Sequence, residues 1–296
     1  MKAAPAGHEP ADPPGSGPTV RRILLGSQLR RLREARGIAR DEAGYHIRAS
    51  ESKISRMELG RVSFKVRDVD DLLSLYQVDD ESERATLLAL ANAANLPGWW
   101  HSYGDVLADW FQPYLGLEEA ASVVRTYEIQ FVPGLLQTAD YARAVVARGN
   151  LGAPDAQIDS RVRLRMARQQ QLTRADPPQL WAVLDEAALR RPIGGAEVMR
   201  AQLQALIDIS TLDNVTVQVM PFRSGGHAAE GGAFTILRFP QPDLCDVVYL
   251  EHVTSAIYLD RRSDVDTYLE TMDRLCIESA PPVDTAAILA SMRDEL

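Results

Sequence analysis

The sequence predicts an α+β protein. It should have an N-terminal all-α domain of five helices, a helical connecting region, and a C-terminal α+β domain with a small, mostly antiparallel sheet. Two observations predict this. Apolar residues recur at helical spacing from Leu25 through Ala94 and stop at Pro97-Gly98. Beyond Pro177-Pro178 the pattern turns to period 2, most clearly in Val215-Thr216-Val217-Gln218-Val219, and several such strands run together before helices close the chain.

The elements follow in order. Residues 1 to 19 are rich in Pro, Gly and Ala, and disorder is expected there. A first helix is expected over Ile23–Ala35, ended by Gly37. Two short helices, about Arg40–Ile47 and Ser50–Leu59, then make a helix-turn-helix. Ala43, Ile47, Ile54, Met57 and Leu59 are its apolar positions, with Gly44 at the crossing and Ser50 as N-cap. Helices near Arg67–Tyr76 and Glu81–Asn95 complete a domain over 20–96. The connecting region, 97–178, is expected to be helical, with 118–149 in two helical pieces and a basic helix over Asp155–Arg174. Strands are expected at Gln179–Leu184, Val215–Val219, Phe234–Phe239, Asp246–Leu250 and Ala256–Leu259 in a domain over 179–296. Its helices are placed at Ala196–Leu212, Asp264–Glu278 and Thr285–Met292.

Charge divides unevenly. The chain of 296 residues has a net charge of −9, yet Val20 to Arg67 holds thirteen Lys and Arg against five Asp and Glu, a local +8. The basic segment can meet phosphate, and the acidic remainder should be repelled by it. In the second helix of the pair, Glu51, Ser52, Lys53, Ser55 and Arg56 point outward, a short polar face led by its N-terminus. Such a helix suits a DNA major groove. Ser52 and Arg56 are expected to read base edges, with Glu51, Lys53 and Ser50 beside them. Arg40, Arg61 and Lys65 are expected to hold phosphate, which sets position and salt dependence. The expected partner is double-stranded DNA, bound by a homodimer.

Residues Lys53 to Arg61, KISRMELGR, resemble the second-helix signature of the phage-repressor-like (XRE-type) helix-turn-helix family. In that family an Arg on the first helix pairs with a Glu near the end of the recognition helix, and Arg33 and Glu58 match those positions. The resemblance covers about residues 23 to 95, with Arg48 in the turn where glycine is usual. Pro97-Gly98-Trp99-Trp100, Tyr127-Glu128, Val132-Pro133-Gly134-Leu135-Leu136-Gln137-Thr138, Trp181-Ala182-Val183-Leu184-Asp185-Glu186 and Val248-Tyr249-Leu250-Glu251 add a second resemblance, to a large actinobacterial regulator family. It implies a transcriptional regulator whose C-terminal domain has no assigned role. Some relatives are antitoxin-like and work with a small protein partner. The competing reading is therefore an interaction protein whose C-terminal domain binds a small protein or a small-molecule effector.

Catalytic patterns are missing: no H-E-x-x-H, no G-x-S-x-G and no Walker loop occur, so no enzyme activity, cofactor or metal is expected. His227 and Glu230 in the loop Ser224 to Gly232 are a weak ligand-binding pair, against the commoner case of a solvent-facing hairpin loop. Asp185-Glu186 reads as a helix cap. The aromatic run Trp99, Trp100, Tyr103, Trp110, Phe111 and Tyr114 is expected to join the two domains rather than stack bases, since Asp105 and Asp109 sit among the rings. Two cysteines, Cys245 and Cys276, suggest a reducing cytosol. No apolar run reaches membrane-spanning length, and no signal-peptide core is present.

Overall fold

The computed structural model describes residues 17–241 and 244–296, and the chain divides into two units, Met1–Gly98 and Trp99–Leu296. The disorder expected over 1–19 falls outside the described residues as far as residue 16. Pro18 and Thr19 are not tail, because they form the first turn of α1 (Pro18–Ala35). A proline's fixed φ and missing N–H suit that position.

Four more helices follow among the described residues of the N-terminal unit: α2 (Arg40–His46), α3 (Glu51–Glu58), α4 (Val66–Leu75) and α5 (Glu81–Ala94). Leu25 and Leu29 of α1, Ala43 of α2, Ile54 and Met57 of α3 and Leu72 of α4 share one buried cluster. Two arginines of the basic segment bond to helix ends, Arg22 from a partly buried position and Arg36 from an exposed one. Arg22 donates to the carbonyl of Ala94 (2.9 Å) at the end of α5, and Arg36 to those of Tyr76 (2.9 Å) and Gln77 (3.0 Å) past the end of α4. Carbonyls at a helix end have no partner within their own helix, and these bonds supply one.

The C-terminal unit is built on one six-stranded sheet. Its elements are α6 (Gln112–Ala120), β1 (Val123–Glu128), α7 (Ala139–Gly149), α8 (Asp155–Gln169), β2 (Gln179–Asp185), α9 (Glu186–Arg190), α10 (Ala196–Ile209), β3 (Val215–Met220), β4 (Phe234–Arg238), β5 (Val247–Glu251), β6 (Ala256–Leu259), α11 (Arg262–Glu278) and α12 (Thr285–Asp294). The spatial order is β3-β2-β1-β4-β5-β6. β1 pairs with β2, and β2 with β3, in parallel; the β1–β4, β4–β5 and β5–β6 pairings are antiparallel. The molecule is thus α+β with a mixed sheet.

One expectation fails here. Residues 118–149 are not two helical pieces, because Val123–Glu128 form a central strand inside the stretch expected to be a helical connector. Val123, Val124, Thr126 and Tyr127 favour a pleated surface, and their partners lie far away in sequence, at Gln179–Leu184 and Phe234–Arg238. The sheet has two covered faces. Tyr127, Val183, Ile236 and Val248 pack against Met272 and Leu275 of α11. The strand register places Thr126, Thr235, Tyr249 and Tyr258 in one row on the other face. There Tyr114 of α6 lies on Tyr249, ring centroids 4.3 Å apart, and stacks on Phe111 at 5.2 Å. Phe111 and Tyr114, expected to glue two domains, are packing elements of this unit.

The basic helix also turns inward. Arg168 of α8 makes two bonds to buried Glu118 of α6, at 2.9 and 2.7 Å, and its guanidinium lies over the Phe111 and Tyr114 rings. Burial works against the charge on Arg168, but the Glu118 carboxylate outweighs it and holds the guanidinium above its ordinary value.

Candidate nucleic-acid interface

The site begins with the turn between α2 and α3. The Ala49 N–H bonds the Gly44 carbonyl at 2.8 Å, closing the turn. A Cβ on Gly44 would lie 2.8 Å from the Ala49 oxygen, so the crossing needs a residue without one. Arg48 takes the left-handed φ of +54° that glycine usually supplies, at a cost of roughly 1–2 kcal/mol for an L-residue. Ser50 then caps α3, its Oγ accepting from the Lys53 N–H at 3.2 Å.

A charge cluster fixes α3 against α1 and α2. Glu58, nearly buried at the end of α3, accepts from Arg33 Nε at 2.5 Å and Arg33 Nη2 at 3.1 Å. Arg40 Nε donates to the second oxygen of Glu58 at 3.0 Å. Arg33 also donates to the Ile38 carbonyl at 2.8 Å. Hydrogen bonding to Glu58 holds the Arg33 guanidinium above its ordinary value. The pair implied by the family signature is therefore a triad, and Arg40 is engaged in it rather than standing free for phosphate. Its remaining N–H groups point from a side chain that keeps 37% of its surface.

On the outer side of α3, Glu51, Ser52 and Arg56 are exposed. Arg56 Nε donates to the Ser52 carbonyl at 3.3 Å. Lys53 departs from the expected role: its Nζ lies 2.5 Å from Asp68 Oδ2, a buried carboxylate of α4. Its charge is matched within the unit, so it joins α3 to α4 rather than facing bases. Arg61 and Lys65 are exposed on the segment between α3 and α4. Asn95 clamps that segment, accepting from the Phe64 N–H at 3.1 Å and donating to the Phe64 carbonyl at 2.5 Å. Phe64 anchors it in the core.

Sequence reasoning missed four contributors. Asp68 lies one residue beyond the segment over which charge was counted. Asn95 gives no local sign of its long-range role. Arg48 and Tyr45 stand exposed beside the turn, Tyr45 at 88%, in a shallow depression shared with His46, Ala49 and Ser50. An aromatic residue on the polar side of an amphipathic helix was the available signal.

The weak pair does not assemble. His227 Nδ1 accepts from the Ala229 N–H at 3.3 Å and its Nε2 meets Tyr127 Oη at 2.9 Å; Tyr127 in turn donates to Asp185 at 3.3 Å. Burial, with Asp185 nearby, pushes the Tyr127 hydroxyl well up. Glu230 is exposed and makes no hydrogen bond or ion pair among the described residues. His227 is thus an anchor that ties its loop to the ends of β1 and β2. Asp185 also caps α9, accepting from the Ala187 N–H at 2.8 Å. Among the described residues no group of three or more His, Cys, Asp or Glu side chains is placed to hold a metal, and no helix is long and apolar enough to cross a membrane.

Two family profiles match the chain. A helix-turn-helix domain covers residues 24–87, and a domain of unknown function (DUF5753) covers residues 111–291. No curated protein and no solved structure matches it. The first match spans the turn, the triad and the exposed face of α3 and supports DNA binding. The second spans β1 to β6 and runs over more than half of the sequence, so the chain belongs to the DUF5753 family and carries that domain behind an N-terminal helix-turn-helix.

Proposed function

We propose that the protein is a sequence-specific transcriptional regulator of the phage-repressor-like type, without catalytic activity. It binds DNA as a homodimer with α3 in the major groove. The observation that carries the reading is the α3 face. Ser52 and Arg56 are exposed at the front of a helix that the Arg33–Glu58–Arg40 triad holds rigid. Arg56 is the guanine reader, Ser52 and Glu51 its neighbours, and Arg61 and Lys65 supply phosphate contacts. Arg48 joins them from the turn. Immunoprecipitation of bound genomic DNA tests this. Sharp promoter peaks with two half-sites about one helical turn apart support a dimeric regulator; uniform coverage contradicts it.

A second reading, an antitoxin-like protein with a small protein partner on its C-terminal unit, draws on the exposed apolar side chains of Phe222, Ile277 and Val283. The Phe222 segment is held close to the end of α11 by the Ser224 bond to the Glu278 carbonyl at 3.2 Å. A stoichiometric small protein that co-purifies with the wild-type chain and is lost from Ile277→Asp supports it. Retention by that variant removes it.

A further inference from the structure

The sheet face opposite α11 carries charges that neither the fold nor DNA binding uses. β5 runs in the same direction as β1, since both are antiparallel to β4. Glu128 and Glu251 therefore end two like-directed strands on one face, each two residues beyond the Thr126–Thr235–Tyr249 row. Tyr249 Oη donates to Glu251 at 2.9 Å. α8 carries Arg161, Arg165 and Arg168 at successive turns, and Arg168 lies over the Tyr114 ring that packs on Tyr249 of this face. Of these three, only Arg168 has a carboxylate partner among the described residues, Glu118. Arg165 donates to the neutral amide of Gln137 at 2.6 Å. Arg161 Nε is buried with no hydrogen-bond partner among the described residues.

Neither end of this cluster is balanced. Burial, with like charges on Arg168 and Arg161, lowers Arg165 to about 10. Burial, with Glu251 nearby, pushes the Glu128 carboxyl up to about 8. Both residues are partly exposed. A buried donor without an acceptor is costly when the site is empty, and the Glu128 carboxyl is costly to ionise there. A ligand group that supplies the missing acceptor, and another that supplies a positive charge, would relieve both.

We propose that this face of the C-terminal unit binds a small zwitterion bearing a carboxylate and an ammonium group, such as a free α-amino acid. Arg161 and Arg165 take its carboxylate; Glu128 and Glu251 take its ammonium. Two guanidiniums in a fork suit a carboxylate better than a lone ammonium would. The same poles would reject a simple anion, which leaves Glu128 uncompensated, and a simple cation, which leaves Arg161 so. When the ammonium binds, Glu128 gives up its proton to solvent. Among the described residues, Glu251 and Tyr141 are titratable groups that interact with it. The site is independent of the α3 reading, and it is tested without DNA.

Titration calorimetry of the full chain near neutral pH decides the matter, with each protein amino acid as probe and acetate and methylammonium as single-pole controls. The expected result is saturable one-to-one binding of at least one amino acid and none of either control. Glu128→Gln and Arg165→Gln should each weaken it by about tenfold or more. Binding heats should differ between buffers of different ionisation enthalpy, reporting proton release, and this difference should vanish in Glu128→Gln. No saturable heat from any amino acid overturns the proposal, as does equal affinity for acetate or unchanged affinity in Glu128→Gln. That variant is near-isosteric, so it decides the outcome even if Arg165→Gln fails to fold.

Discussion

At the scale of single residues, stability and binding turn on which charges are already engaged. Glu58 accepts from two arginines in a nearly buried position, and removing its charge strands Arg33. Glu58→Gln should lower the stability of the chain by about 3 kcal/mol, since breaking a buried pair leaves an uncompensated ion. A melting experiment checks this, and an unchanged midpoint would mean the triad is idle. Lys53 and Arg56 lie on the same short helix and looked alike in the sequence, yet one is matched by Asp68 and the other faces outward. The difference comes from α4, whose Asp68 enters only through the tertiary fold. Asn95 is a similar case. Asn95→Ala removes two bonds to the Phe64 backbone and should cost about 1–2 kcal/mol. It should also weaken DNA binding alike on matched and scrambled sites, because it loosens the segment that carries Arg61 and Lys65. Competition binding with both duplexes measures that ratio.

At the scale of elements, close approach decides more than propensity. α1 crosses the end of α3 at Gly26, where a Cβ would sit 2.6 Å from the Glu58 carbonyl oxygen. In a free helix Gly→Ala gains up to about 1 kcal/mol. Here the neighbour is backbone and cannot give way, and overpacking typically costs about 1–3 kcal/mol. Gly26→Ala is therefore expected to destabilise the chain and to disturb the triad beside it, as a denaturant melt would show. The same scale explains what could be read from the sequence. The five N-terminal helices were legible because local apolar spacing, a Ser50 cap and the Arg33/Glu58 positions all agree. β1 was not. Val123–Glu128 is short, lies between helical stretches, and becomes a strand only through partners far along the chain. The five basic residues of the helix over Asp155–Arg174 gave no sign of which would turn inward, since Glu118 of α6 is what draws Arg168 under the surface. The anchoring of His227 was hidden for the same reason: Tyr127 and Asp185 meet it only once two strands pair.

At the scale of the whole molecule, charge is sorted by function. The local +8 of the basic segment overstates what DNA meets, because Arg22, Arg33 and Lys53 are turned to internal partners. Arg48, Arg56, Arg61 and Lys65 are the exposed remainder around α3. Arg61→Ala should flatten the logarithmic salt dependence of binding by about one unit, while leaving sequence preference intact. Stability should respond to pH through the other unit. Glu128 is raised from 4.5 to about 8 on folding, so between those values the folded chain holds a proton that the unfolded chain has released. Stability should then fall as pH rises from about 4.5 to about 8, and Glu128→Gln should remove much of that slope. Melting across this range, without ligand, checks the sign.

The claim on which the account rests most heavily is that Arg56, at the open face of α3, reads a base. Selection from a randomised duplex library, run with the wild-type chain and with Arg56→Ala, tests it most directly. The account predicts one enriched motif for the wild type, and for the variant the same motif with the guanine preference lost at a single position per half-site, a change of about 1–3 kcal/mol. Identical motifs from both proteins, or no enriched motif from either, would contradict it.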